Sequence, residues 1–291
     1  MLRLAASLVL LAAALAGCAP AIVPPAAAPP PPAAARIIDD ADFGLIGLPQ
    51  QGALLFGRLQ PDVVALRLDG APIAFASDGR FLIGFGRDQG PAAILEATRA
   101  DGTILRRRIV VAPRAWQIES LPTLPRGTTP TPEFLARRKL ELEQIAAARA
   151  VDSDSQGWRQ HFVWPVRGRI SGVFGSQRIY AGEPGAFHSG TDIARPEGTP
   201  IVAPADGVVI LAAQEPFTLE GRLLMIDHGL GLNSAFLHLS RIDVRVGQAV
   251  RQGQVIGAIG MTGRATGPHL HWSLRWRDAR IDPAPVAGSM E

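Results

Sequence analysis

Between Gly44 and Pro113 no apolar stretch runs far before a turn signal stops it. Val63 to Leu68 ends at Asp69-Gly70, Ile73 to Phe75 precedes Asp78-Gly79, Phe81 to Phe85 follows, and Ala93 to Thr98 passes through Asp101-Gly102 into Ile104 to Val111. Asp-Gly pairs accept the positive backbone angles of tight hairpins, and runs this short suit strands rather than helices. The spacing predicts a small β-sandwich or barrel over residues 44–121. Past residue 157 the pattern resumes with glycine as punctuation, and strands are expected at Ile170 to Phe174, Pro200 to Ala203, Gly207 to Ala212, Leu223 to Ile226, Ser234 to Leu239, Val255 to Ile259 and His271 to Trp276. Between the two regions, Pro122, Pro125, Pro130 and Pro132 mark a linker, and Glu133 to Ala150 reads as a helix carrying Phe134, Leu135, Leu142 and Ile145 among Arg and Glu. The expected architecture is mainly β: a domain at 44–121, a Pro-rich linker and helix at 122–157, and an antiparallel β domain at 158–291. In 291 residues of 47% hydrophobic composition, each β region is long enough to bury a core.

The first 43 residues follow other rules. Arg3 is followed by an apolar run from Leu4 to Leu15, then by Leu15-Ala16-Gly17-Cys18. Too short to span a bilayer comfortably, residues 1–17 read as an export signal. Cys18 is the only cysteine, so the chain can build neither an internal disulfide nor a Cys-rich zinc site. The Leu-Ala-Gly-Cys tetrapeptide resembles a bacterial lipoprotein box, which implies cleavage before Cys18 and a membrane anchor of acyl chains on it, each buried methylene contributing about 0.8 kcal/mol. Ala19 stands where an aspartate retains many such lipoproteins at the inner membrane, so the resemblance points to a periplasmic protein anchored to the outer membrane. Residues 19–35 are almost wholly Ala and Pro, including Pro29 to Pro32. That composition cannot form a core and makes 18–43 a tether, extending about 3.1 Å per residue where it is polyproline.

Charge adds one exclusion. Basic residues number 29 against 26 acidic, a formal net charge of +3, and Lys139 is the only lysine. No basic run is interleaved with aromatics, so nucleic acid is not an expected partner, while a mildly basic surface would be drawn weakly to an anionic envelope.

All six histidines lie beyond residue 160. His188 and Asp192 are four apart, and Gly190, Thr191 and Ile193 between and beside them favour extended chain, in which even separations share a side. His269 and His271 are two apart, so on a strand both imidazoles point the same way. Catalytic zinc takes three ligands from imidazole and carboxylate and keeps one position for water, whose pKa it lowers toward neutrality. Further imidazoles beside that water can take its proton or stabilise an oxyanion, and His238 in Phe236-Leu237-His238-Leu239 is the natural contributor from a third strand. The region 44–113 has no histidine, which leaves it positioning, partner binding or covering the site.

The surrounding strings are more specific than the spacings. Phe174-Gly175 with Arg178, Phe187-His188-Ser189-Gly190-Thr191-Asp192-Ile193-Ala194, Ala203-Pro204-Ala205-Asp206-Gly207, Ile226-Asp227-His228-Gly229, Leu237-His238-Leu239-Ser240 and Thr266-Gly267-Pro268-His269-Leu270-His271 together resemble the lysostaphin-type, or LytM-type, zinc endopeptidases of bacterial cell walls. The resemblance covers about residues 162–282 and implies a glycine-rich fold related to barrel-sandwich hybrids. It implies His188, Asp192 and His271 as zinc ligands, His238 and His269 as the catalytic pair, Arg178 as a substrate contact, and peptide cross-links between peptidoglycan stem peptides as substrate, cut by a D,D-endopeptidase. His228 matches a recurrent turn of the family without being a ligand, and His161 matches nothing. Phe236 replaces a common Tyr, with loss of a hydroxyl that could reach substrate, and Trp272 replaces a common Phe, a change of packing.

Two rivals remain. Val246-Gly247-Gln248-Ala249-Val250 with Ala203-Pro204-Ala205-Asp206-Gly207 also resembles biotinyl and lipoyl carriers, but a carrier needs a lysine at a hairpin tip and Lys139 lies outside the domain. The other is a catalytically silent activator of other wall hydrolases, working with envelope regulatory proteins.

Overall fold

The computed structural model describes residues 36–123 and 130–290. The export signal, Cys18, the tether up to residue 35 and Pro125 of the linker lie outside that range.

In the first β region, strands Ile37–Ile38, Ile104–Val110, Ala92–Arg99, Val63–Leu68 and Ala71–Pro72 lie in that order in a five-stranded sheet, and Leu54–Arg58 pairs separately with Arg80–Gly84. Ala93, Leu95 and Ala97 alternate into the core, as period-two patterning requires. The run Ile73 to Phe75 forms no strand; the chain pairs at Ala71–Pro72, and Ile73 adds one further hydrogen bond, from its N–H to the Leu66 carbonyl at 3.0 Å. Leu54–Arg58 escapes a reading by apolar runs because Gly57 interrupts it, and a Cβ at Gly57 would lie 2.3 Å from the Phe81 ring.

The second region is built on one antiparallel sheet in the order Ala249–Val250, Gly207–Ala212, Arg222–Asp227, Leu232–Leu239, His269–Trp276, Thr191–Ala194, Arg169–Gly172, with Ala279–Ile281 also on His269–Trp276. A three-stranded sheet of Pro200–Val202, Val255–Ala258 and Arg241–Ile242 accompanies it. Every expected strand is present, with ends shifted by a residue or two. One face of the large sheet carries Leu224, Ile226, Phe236, Leu270, Trp272 and Leu274, all fully buried. Phe236 faces this core and is fully buried, so a tyrosine hydroxyl at that position would enter the core rather than the opposite face. Trp272 does more than fill space: its indole N–H donates to Ser234 Oγ at 3.2 Å.

The opposite face carries Leu223, Met225, Ala235 and Leu237, and helix α1 (Pro132–Arg149) lies on it. Thr131 caps α1 by accepting from the Phe134 N–H, and Pro132 suits the first helical turn. The buried stripe is Glu141, Ile145 and Ala148, while Leu135 and Leu142 are exposed. The helix is held down as much by polar clamps as by apolar surface. Arg138 donates to both carboxylate oxygens of Glu220, and Glu141 accepts from the N–H and hydroxyl of Thr218.

The first region also reaches the second. Ile118–Leu121, from the end of the first region, pairs in parallel with Gln177–Tyr180, and buried Arg87 donates to the Gly175 carbonyl at 2.9 Å and to Gln177 Oε1 at 3.0 Å. Apolar core runs continuously from Phe43 to Ala287.

Candidate metal centre

Pairing register brings the distant residues together. Asp192 and His271 are direct partners in the antiparallel ladder between Thr191–Ala194 and His269–Trp276, so their side chains share one face. His271 Nδ1 lies 2.8 Å from Asp192 Oδ1. His188 precedes the strand rather than sharing it, so strand parity does not place it. It is held by its own main chain, whose N–H donates to the Ser176 carbonyl and whose carbonyl accepts from Gly175, both at 2.8 Å. Its Nε2 is 3.0 Å from Asp192 Oδ1 and 3.0 Å from His271 Nδ1.

Three donor atoms at mutual separations of 2.8–3.0 Å suit a shared cation. Ligands in a tetrahedral zinc site, about 2.0–2.2 Å from the metal, stand roughly 3.3 Å from one another, so small adjustments suffice. His188 Nδ1 lies 3.0 Å from the Val173 carbonyl; that bond fixes the proton on Nδ1 and leaves Nε2 a lone pair for a metal. The set of two imidazoles and one carboxylate is a zinc-type donor set, and the residues fit the ion. Close packing keeps it in place: a Cβ on Gly172 would approach Asp192 Oδ2 to 2.5 Å, and one on Gly190 would approach His271 Nε2 to 2.7 Å.

The electrostatics of the protein alone agree. Burial opposes ionisation of Asp192, but hydrogen bonds and charge from His188 and His271 hold it far below the usual carboxylate range. Burial lowers the His188 imidazole, and Asp192 more than restores it, so it ends raised. Burial and the neighbouring His188 and His269 push His271 down against the pull of Asp192.

Residues 186–283 match the family described as Peptidase family M23. The structure of a candidate M23 peptidase from Pseudomonas aeruginosa superposes with a TM-score of 0.63 at 33% sequence identity, over 83% of this chain and 96% of that one. The chain belongs to peptidase family M23. Peptidoglycan DD-endopeptidase ShyA of Vibrio cholerae is 45% identical over 127 residues, 42% of this M23 chain and 29% of that protein. Cell division protein DipM of Caulobacter vibrioides is 29% identical over 221 residues, 69% of this chain and 35% of that protein. The chain thus spans about a third or less of the length of these curated relatives.

In this M23 domain two further imidazoles flank the triad. His269 Nε2 lies 3.9 Å from Asp192 Oδ1, and the His238 ring centre is 4.9 Å from that of His269 and 6.3 Å from that of His271. Parity alone would send His238 into the core beside Phe236. A bulge prevents this: Arg222 pairs with Leu239 but Leu224 with Phe236, and His238 takes φ +64°, which turns its side chain to the metal side. His238 Nδ1 is 2.9 Å from the Thr262 carbonyl and His269 Nδ1 2.7 Å from the Gly267 carbonyl. Burial, with smaller contributions from His269 and His271, pushes His238 down to about 4 despite the Thr262 carbonyl.

The other singled-out residues lie elsewhere. Arg178 is exposed and pairs with Glu119 at 2.7 Å. His161 is exposed. His228 is fully buried, with Nδ1 at 2.7 Å from the Asp206 carbonyl and Nε2 at 2.9 Å from Ser234 Oγ. Thr262, Glu220 and Arg87 carry no motif signal and emerge only as partners of His238 and of the loop before His188.

Proposed function

We propose that this protein is a zinc-dependent endopeptidase that hydrolyses peptide cross-links of peptidoglycan, acting on D,D bonds from a periplasmic position and held to the outer membrane by acyl chains on Cys18. Membership of the M23 family and the likeness to peptidoglycan DD-endopeptidase ShyA support the substrate class. The observation that carries the reading is the set of three donor atoms within 3.0 Å of one another, flanked by two imidazoles.

His188, Asp192 and His271 would hold the ion. Zinc, when bound, supplies Lewis acidity that polarises a carbonyl and makes water easier to deprotonate. The remaining chemistry belongs to the chain. His238 is neutral at physiological pH and has its Nδ1 proton committed to Thr262, so its Nε2 is free to accept a proton from attacking water. His269, with its Nδ1 proton committed to the Gly267 carbonyl, would donate from Nε2 toward the oxyanion that develops on the scissile carbonyl in its doubly protonated form. Arg178, at the mobile end of a long side chain, is a candidate contact for the substrate peptide through exchange of its Glu119 partner.

The deciding experiment incubates purified zinc-loaded protein with cross-linked muropeptide dimers of defined bond type and weighs the products by mass spectrometry. Appearance of monomers whose masses mark a cut at the D,D bond is the expected result. Intact dimers, together with stimulation of a separate wall amidase, would replace the endopeptidase reading with the activator.

A further inference from the structure

Beside the metal centre, on the face covered by α1, lies a cavity of about 100 Å³ whose polar wall is Arg149, Arg275, Arg280, Ser189, Ser273 and His271, with apolar residues of α1 and the sheet forming the rest. Arg275 and Arg280 are direct partners across an antiparallel pair, where like charges oppose each other unfavourably. The C-terminal end of α1 adds Arg149 as a third guanidinium. Partial burial and the charges of Arg275 and Arg280 push Arg149 down to about 10. Little on the protein balances them. Glu220 also lines the cavity, but both its carboxylate oxygens are taken by Arg138. Asp278 pairs with Arg275, whose Nε also donates to the Arg277 carbonyl, and it is fully exposed; it and Glu220 offset Arg149 only in part. Among the described residues Arg280 rests only on the Phe187 ring, 5.5 Å from its centre, and neither it nor Arg149 donates a side-chain hydrogen bond.

Three guanidiniums around one cavity repel one another, an anion among them would relieve that repulsion, and a planar fork of N–H donors matches a carboxylate best. The cavity is small, with room for an end group such as a carboxylate. Ser189 immediately follows a metal-donor residue and His271 is one, so a group seated here belongs to a chain that continues past the metal centre.

We propose that Arg149, Arg275 and Arg280, with the hydroxyls of Ser189 and Ser273, form a subsite that takes a free carboxylate of the stem peptide. The substrate class rests on the endopeptidase reading; the oxyanion site rests on the arginines. Discrimination is then built into the domain: stem peptides with free carboxylates bind, and their amidated counterparts do not.

The test titrates detergent-solubilised, zinc-free full-length protein with a purified disaccharide tetrapeptide and with the same compound after conversion of its carboxyls to primary amides. The wild type is expected to bind the free form about tenfold more tightly. Arg280→Gln and Arg149→Gln, both at the exposed mouth of the cavity, are each expected to remove that preference, while Arg251→Gln, outside the cavity, retains it. Equal affinity of the wild type for the two compounds, including failure to bind either, overturns the subsite, as does undiminished preference in both cavity variants. Cleavage of cross-linked dimers by the zinc-loaded wild type is scored separately. Preference without cleavage removes the endopeptidase reading and keeps the subsite; cleavage without preference does the reverse.

Discussion

The main-chain N–H of His238 donates to the carbonyl of Glu220 at 2.8 Å. The carboxylate of the same Glu220 is gripped by Arg138 of α1 at 2.6 and 2.7 Å. A histidine held at φ +64° needs neighbours that over-determine its position, and the clamp from α1 is one of them. Arg138→Ala is therefore predicted to cost on the order of 2 kcal/mol, between the values for exposed and fully buried pairs. It should also lower kcat about tenfold or more with zinc content unchanged, since His238 loosens and the donor triad does not. Urea unfolding, metal analysis and steady-state kinetics on one preparation check this. Normal kcat in the variant would show that the Glu220 main chain holds its place without the side-chain clamp.

The two histidines of His-Leu-His are predicted to fail differently. His271→Ala deletes a donor atom 2.8 Å from Asp192 Oδ1, so zinc and turnover should disappear together. His269→Ala leaves all three donors and should keep zinc near one per chain while kcat falls by about a hundredfold or more. A chelator should abolish activity in the wild type, with recovery on adding zinc. Full zinc occupancy in the His271 variant would mean that the ligand set is wrong.

Arg87 reaches from the first β region into the loop before His188 through the Gly175 carbonyl and Gln177 Oε1. Its guanidinium also stacks 5.0 Å from the centre of the Phe187 ring. Hydrogen bonds from a buried charged group contribute about 1.5–3 kcal/mol each, and outer partners of metal ligands typically hold tenfold or more in affinity. Arg87→Ala should therefore destabilise by roughly 3 kcal/mol and weaken zinc binding by about tenfold, measured by competition with a chromogenic chelator. Unchanged zinc affinity would limit the residue to a structural role.

Much of this was legible in the sequence because turn residues and period-two patterning are local signals. Gly207–Ala212 and Val63–Leu68 are strands over the residues expected. Asp192 and His271 also face one another as the motif implied, since ladder pairing turns a repeated local pattern into a long-range contact. The unread parts are those where a local rule is broken. Gly57 hid the strand Leu54–Arg58, and the left-handed turn at His238 reversed the side that parity assigns it. Of the apolar residues that mark α1 in the sequence, Leu135 and Leu142 are exposed, and ion pairs at Arg138 and Glu141 hold another stripe against the sheet. Such clamps join residues some 80 positions apart and leave no periodic trace.

His228 shows the remaining kind of information, a buried group whose charge state couples to stability. Trp272 Nε1–H donates to Ser234 Oγ, Ser234 faces His228 Nε2, and His228 Nδ1 faces the Asp206 carbonyl. The ring is neutral in this chain of bonds, and complete burial pushes it down to about 4 from an ordinary 6.5, against the pull of Asp206. Because the unfolded chain binds the proton more readily, stability is fully present above pH 6.5 and falls as pH drops toward 4. The linkage amounts to roughly 2 kcal/mol between pH 7 and pH 5, and about 3 kcal/mol once both states are protonated. His228→Gln should be less stable than the wild type at pH 7, and its deficit should shrink as pH falls, because glutamine takes up no proton. Urea midpoints of metal-free protein, measured from pH 8 to pH 5, separate this from loss of zinc. Parallel curves for the two proteins would show that His228 is not the group that titrates.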